Sequence, residues 1–255
     1  MRSHALRGRS CAGRALACIL VTVLALAVLA AAGSGCRRPE EEPLVLTVPW
    51  RDGESSRLEV VNSETGALVA EWKIDVAAVP DGGWVITSET WSPQGSELSA
   101  VRVASGTLLP QAIDYTLESP QVKATLTGRY GEKELVISAT VNGEAQEATV
   151  RLPAPPYFDN EQFVATLRAF PLGEGWERAV NLIVSKTANK ARLTVRVVGR
   201  EEVTVPLGRF DCWKVELVGV GQTAWVNAEA PHQLVQYENT GAKTLSRLVE
   251  FEPGS

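Results

Sequence analysis

From residue 57 to residue 251 the chain alternates short β-prone runs with turns of two to four residues, and this rhythm leaves few folds open. The runs cover residues 57–62, 67–79, 84–91, 98–104, 107–118, 122–129 and 134–141, and then a run ending at Leu152. After a break they resume at 180–186, 192–198, 201–205, 211–218, 223–228, 234–238 and 245–251. Parallel strands need long crossovers, so connections this short predict antiparallel pairing. A recurrence of about 8 to 12 residues with turn chemistry between runs reads as antiparallel all-β. Asn142-Gly143 carries the strongest two-residue hairpin signal in the chain. Pro110 falls inside its run and predicts an edge or a bulge there.

Residues 159–170 break the rhythm. Asp159 and Asn160 offer a cap, Glu161 follows early, and Phe163, Val164, Leu167 and Phe170 recur at helical spacing. Pro171 stops the pattern, and Pro153, Pro155 and Pro156 precede it. The fold class expected is therefore all-β with minor α: a strongly curved antiparallel sheet or half-barrel with one short helix at about 159–170. That helix would plug one end of the sheet, lie over it as a lid, or cover an edge.

The first 35 residues stand outside that domain. Arg2, Arg7, Arg9 and Arg14 precede an uncharged apolar run from Ala15 to Ala32, followed by Gly33, Ser34, Gly35 and Cys36. A basic start, an apolar stretch and small residues form an export signal. A cysteine directly after small residues is similar to the lipid-attachment cysteine of bacterial lipoproteins, which implies cleavage before Cys36 and lipidation of its thiol. Gly33 stands where that pattern usually carries leucine. The alternative is an uncleaved anchor, because the apolar run is long enough to span a bilayer. Both place the rest of the chain outside the cytoplasm, tethered to a membrane. The division expected is a signal or anchor over 1–35, lipid-attachment Cys36 with a charged linker over 36–43, and a single antiparallel β domain over 44–255.

Charge limits the partners. Removing the four arginines of residues 1–35 from the 25 basic residues leaves 21 against 30 acidic ones, a net charge of −9. Such a surface argues against nucleic acid and against electrostatic docking on anionic lipid, so membrane proximity falls to the anchor. Beyond Cys36 only Cys212 remains, which excludes an intramolecular disulfide in the exported part. Between Phe210 and Trp213 it reads as a small buried hydrophobe.

The second half carries a recognisable order of residues. Phe170-Pro171-Leu172 is followed by Gly175, and then by an unbroken stretch from Gly199 through Pro206, Gly208, Phe210 and Lys214-Val215-Glu216. Trp225-Val226 and Pro231 lead into the run 234–238. This resembles a family of bacterial envelope proteins, domain-of-unknown-function family 3108, over roughly residues 44–251. The resemblance implies a strongly curved antiparallel sheet, similar in outline to the half-barrels of periplasmic lipoprotein carriers. It implies no activity and carries over no site residues. Within the stretch, Pro206 and Gly208 predict a tight turn with φ above zero at Gly208. Alternation places Asp211, Trp213, Val215 and Leu217 on one face.

Few residues suggest chemistry. One exported histidine, His232, follows Pro231 and reads as an exposed turn residue, which leaves little for a triad or a zinc site. Glu201 and Glu202 alternate across a strand, and Asp159 and Glu161 suit a helix start. No enzyme, metal or cofactor is expected. Seven tryptophans stand out in a chain poor in aromatics. They read either as packing or, for Trp213 and Trp225, as the wall of a groove for a lipid or lipidated peptide. The function expected is non-enzymatic binding of an apolar envelope component, with a structural or protein-interaction module as the alternative. A continuous apolar concavity would favour the first and a filled interior the second.

Overall fold

A computed structural model describes residues 43–255. The expected signal, Cys36 and most of the linker lie outside the described residues. The strands are β1 Glu54–Asn62, β2 Leu68–Ala78, β3 Trp84–Ser92, β4 Gly95–Val103 and β5 Pro110–Glu118. They continue as β6 Lys123–Tyr130, β7 Glu134–Val141, β8 Glu144–Arg151 and β9 Tyr157–Asp159. Helix α1, Asn160–Thr166, runs into a 3₁₀ turn at Leu167–Ala169. The chain closes with β10 Glu177–Val184, β11 Asn189–Val205, β12 Gly208–Val218, β13 Gln222–Asn227, β14 Leu234–Asn239 and β15 Thr244–Glu252.

All fifteen strands belong to one sheet, in the order β8-β7-β6-β5-β4-β3-β2-β1-β15-β14-β13-β12-β11-β10-β9. β1 to β8 and β10 to β15 are each a meander of hairpins, and β1 against β15 joins the two, with Leu58 opposite Leu248 in the core. The sheet is strongly curved and unclosed: β8 and β9 are its two edges. β9 packs through side chains onto β5 and β6 to form a seam, where the Tyr130 ring on β6 stacks on Tyr157 of β9 with centroids 6.3 Å apart.

Local chemistry accounts for the turns. Asn142 and Gly143 both have positive φ, 51° and 89°, and Val141 faces Glu144 across the turn. These are the values a two-residue hairpin wants, because they match the right-handed twist of the strands. Pro206 and Leu207 form the corresponding turn between β11 and β12, and Gly208 takes φ +152° as expected. A Cβ there would meet only the Phe210 ring, at an ordinary van der Waals distance of 3.9 Å, so backbone conformation rather than crowding selects glycine. Pro110 sits at a bulge: Arg102 faces Ala112 while Val103 faces Pro110, leaving Gln111 as the extra residue.

Two expectations need correction. Residues 192–198 and 201–205 are one seventeen-residue strand, β11, bent where Val198 bulges out between the pairs Val197–Val215 and Gly199–Lys214. Gly199 and Arg200 separate the two runs in the sequence, but one extra residue bends a strand without ending it. The short strand β9 was not foreseen, and it pairs in parallel with β10, Tyr157 against Asn181. Three buried residues after a proline run give no alternation from which to read a strand.

The helix is a plug. Asp159 caps it, accepting from the Glu161 N–H at 2.9 Å, which satisfies one of the orphan donors of the first turn. Gln162, Phe163, Ala165, Thr166, Leu167, Arg168 and Ala169 are all buried. Phe158, Phe163 and Phe170 pack against one another with centroids 5.7 to 6.1 Å apart. Gln162 donates to the Leu108 carbonyl at 2.9 Å, fixing the plug to the β4–β5 connection. The concave side of the sheet is thus filled by the chain itself.

Candidate functional site

At the plug end the described residues form an open depression. Residues 43–50, without regular secondary structure, run alongside it, tied by a bond from the Thr47 N–H to the Ala169 carbonyl, 2.9 Å. Val48, Pro49, Phe170, Pro171, Leu172, Trp213 and Pro231 supply apolar walls, with Arg168 and His232 as polar members. The volume is about 460 Å³ and the cleft is open to solvent. A smaller open hollow of about 270 Å³ lies between Pro153 and the β10–β11 hairpin.

Arg168 builds the floor of this cleft. Its side chain is 3% exposed and that of Glu54 is 1% exposed, and the two meet at 2.5 Å. Arg168 also donates from Nε to the His232 carbonyl at 2.8 Å and from Nη2 to the Pro231 carbonyl at 2.9 Å. Its guanidinium lies 5.8 Å from the Trp50 ring centroid. The plug, the start of β1 and the β13–β14 connection are thereby joined at one residue. Burial of this kind requires such pairing, since an isolated charge in a dry interior is prohibitively expensive.

Trp213 and Trp225 are not brought together. Trp213 faces Val226 across β12–β13, whereas Trp225 faces Lys214. Directly paired residues share a face, so neighbours in the register lie on opposite faces. Trp213 lines the cleft, with the Arg200 guanidinium 5.0 Å from its ring. Trp225 is buried on the other face, under Lys214 at 5.2 Å, and its indole N–H donates to Glu201. A single groove walled by both is therefore not built. Strand alternation forbids it, and only the register between the two strands reveals that. Most other tryptophans pack: Trp50 meets Trp84 edge-on, Trp72 meets Tyr237, and Trp176 meets Phe170.

The seam holds the other buried polar cluster. Asp159 is fully buried and accepts from Tyr130 Oη, from Ser185 Oγ at 3.3 Å and from the Glu161 N–H. Burial, reinforced by Glu161, pushes its carboxyl up to about 7, while the three donors oppose the rise. Burial likewise holds the Tyr130 phenol well above its ordinary value. Beside it Lys186 bridges Glu97 of β4 at 2.6 Å and Glu161 of α1 at 3.1 Å, and sits 5.1 Å from the Tyr115 ring centroid. Burial by itself would lower the Lys186 ammonium; Glu161 and Glu97 outweigh it and hold it above its usual value.

Cys212 is fully buried, and burial with Asp211 and Glu201 nearby pushes its thiol to about 12, where it is no nucleophile. His232 departs from expectation. It is half-buried on the cleft wall, with positive φ and Nδ1 at 3.0 Å from the Asn227 carbonyl. Glu201 and Glu202 do part across the strand: Glu201 meets Lys214 and Trp225, and Glu202 meets Arg209. Among the described residues no three His, Cys, Asp or Glu side chains gather as metal ligands. Among them also, no helix is long and apolar enough to cross a membrane. Sequence reasoning missed Arg168, Glu54 and Tyr130. An arginine inside the apolar pattern of 159–170 was the only available signal, and it named no partner.

The curve of the sheet has a counterpart among solved structures. A β-barrel-like protein of domain of unknown function DUF1849 from Brucella abortus matches 81% of this chain and 99% of its own, with 8% identity and a TM-score of 0.52. At that identity the likeness is one of fold. A protein of YmcC-like fold from Bacteroides fragilis matches 82% of this chain and 99% of its own, at 14% identity, with a TM-score of only 0.30. No curated protein matches the chain. The profile of the family described as protein of unknown function, DUF3108, matches residues 50–244, and the chain belongs to that family.

Proposed function

We propose that this chain is a membrane-tethered, extracytoplasmic, non-enzymatic interaction module of the cell envelope. The tether is the segment ending at Cys36, and the acidic exported surface leaves that tether as the route to the membrane. The observation that carries the reading is the filled interior. A carrier of lipid or lipidated peptide needs an empty apolar concavity of several hundred Å³. Here Phe158, Phe163, Leu167 and Phe170 occupy that space, each at most 5% exposed. The polar clusters support a structural role in turn. Arg168 is taken up by Glu54 and two carbonyls, and Asp159 by three donors.

A second reading has one observation in its favour. The cleft beside Trp213 has mostly apolar walls, a volume of about 460 Å³ and an open mouth, so it suits a single apolar group of a lipid or peptide. Native mass spectrometry of the full chain purified in mild detergent separates the two. The interaction reading expects the mass of the processed chain, with acyl mass on Cys36 and no further lipid. A co-purifying lipid that is lost in Trp213→Ala would overturn it in favour of the cleft. Absence of acyl mass on an uncut chain would replace the lipid tether with an uncleaved anchor.

A further inference from the structure

The two edges of the sheet are finished differently. β9 is three residues long and wholly buried. β8 is eight residues long, pairs with β7 in unbroken register, and exposes six of its eight side chains. The bond from the Leu152 N–H to the Lys133 carbonyl sets the phase of that ladder. Even-numbered residues of β8 bond inward to β7, so the N–H and C=O groups of Ala145, Glu147, Thr149 and Arg151 point off the sheet. Among the described residues no backbone group pairs with them. An open row of this kind is a template for another strand. Sheets commonly guard such an edge with a proline, a bulge or charges, lysine above all; β8 has no proline, bulge or lysine, and its charges are Glu144, Glu147 and Arg151.

We infer that β8 is a self-association edge, pairing antiparallel with β8 of a second copy about a two-fold axis at Thr149. The charges select this partner and this register. Glu147 and Arg151 lie four residues apart on the same exposed face. In an antiparallel self-pair centred on Thr149, residue 147 of each copy lies opposite residue 151 of the other, so two Glu–Arg pairs form at once. Opposite charges directly across strands are favourable and like charges are not. Centring the pair on Glu147 instead would set that carboxylate against its own copy. Thr149 then faces Thr149 across the axis, a β-branched pair that suits a sheet. On the other face Ala148 of each copy meets Val150 of the other. Tethering both copies to one membrane raises their effective concentration, which a short edge contact needs. This inference rests on the tether of the proposed function and does not depend on the cleft.

The test is cysteine cross-linking of the full chain in its own membrane. The unsubstituted chain provides the background from its native cysteines. Thr149→Cys should form a disulfide-linked dimer under mild oxidation, since Cα atoms across the axis would lie about 5.5 Å apart, within disulfide reach. Ala145→Cys, equally exposed but four residues from the axis, should give roughly tenfold less, because its two copies would be far beyond that reach. Adding Glu147→Arg to Thr149→Cys should cut the dimer about tenfold by turning two attractive pairs repulsive, and adding Arg151→Glu as well should restore it. A Thr149→Cys chain that stays monomeric although its thiol takes up maleimide would overturn the proposal. So would equal linking through Ala145→Cys, or a charge swap that restores nothing.

Discussion

At the plug end a buried cation meets a buried anion, whereas at the seam a buried carboxyl is held by neutral donors. Arg168 and Glu54 cancel one another, and the guanidinium spends two further donors on the carbonyls of Pro231 and His232. Asp159 has Tyr130, Ser185 and the Glu161 N–H instead, with the Glu161 carboxylate close enough to oppose its charge. The plug end is thus a lock between three elements. The seam is a junction whose carboxyl sits, at about 7, near the point where it gains or loses its proton. One sheet buries charge in both ways, and at the seam burial raises the carboxyl.

Three substitutions test this contrast. Arg168→Met is expected to have the largest effect. It leaves Glu54 buried and unpaired, which costs about 3–5 kcal/mol. The double variant Arg168→Met/Glu54→Leu should recover much of the loss, because removing both charges removes the penalty. Denaturant midpoints of the three proteins check this. A single variant as stable as the parent would mean that the pair is not the lock described.

Asp159→Asn comes next, and its signature is in the pH dependence. Folding raises this carboxyl from 3.8 to about 7. The protonated form is therefore favoured by folding, and its contribution is fully present below pH 3.8 and lost as pH rises to about 7. The parent chain should thus lose stability relative to Asp159→Asn across that interval, by on the order of a few kcal/mol. Paired melts at several pH values measure the difference. A stability difference that stays constant from acid to neutral pH would show that the seam does not titrate.

Tyr130→Phe should have the smallest effect, about 1–3 kcal/mol, the cost of removing one donor from a buried acceptor. It should also push the Asp159 carboxyl higher, since that hydrogen bond lowers it. The loss should accordingly be larger at neutral pH than in acid, where the carboxyl is protonated in both chains. Amide exchange along β9 and β6 would show whether the loosening is confined to the seam.

The elements were far more legible than the site. Asn142-Gly143 and Pro206-Leu207-Gly208 announced their turns because φ above zero is a local property that glycine and asparagine advertise. The helix was readable from Asp159 to Phe170 because its cap and its apolar spacing are also local. The bend of β11 was misread as a break because a bulge and a turn use the same glycine. Trp213 and Trp225 were grouped because both lie on apolar runs of neighbouring strands. Which face each takes depends on the register between those strands, and a shift of one residue reverses it.

The sequence by itself determined the all-β antiparallel class, the position and capping of the helix that follows Asp159, the burial of Cys212 and the resemblance to the family. Each of these follows from periodicity, turn chemistry or the order of residues along a short stretch. Only the tertiary structure decided that the helix fills the concavity rather than lying over it. It alone joined Arg168 to Glu54 across 114 positions and Tyr130 to Asp159 across 29, and it left β8 as the open edge. The reason is physical: pairings between distant residues are set by how the sheet curves and how its strands register. Those quantities belong to the whole sheet, and no single segment carries them.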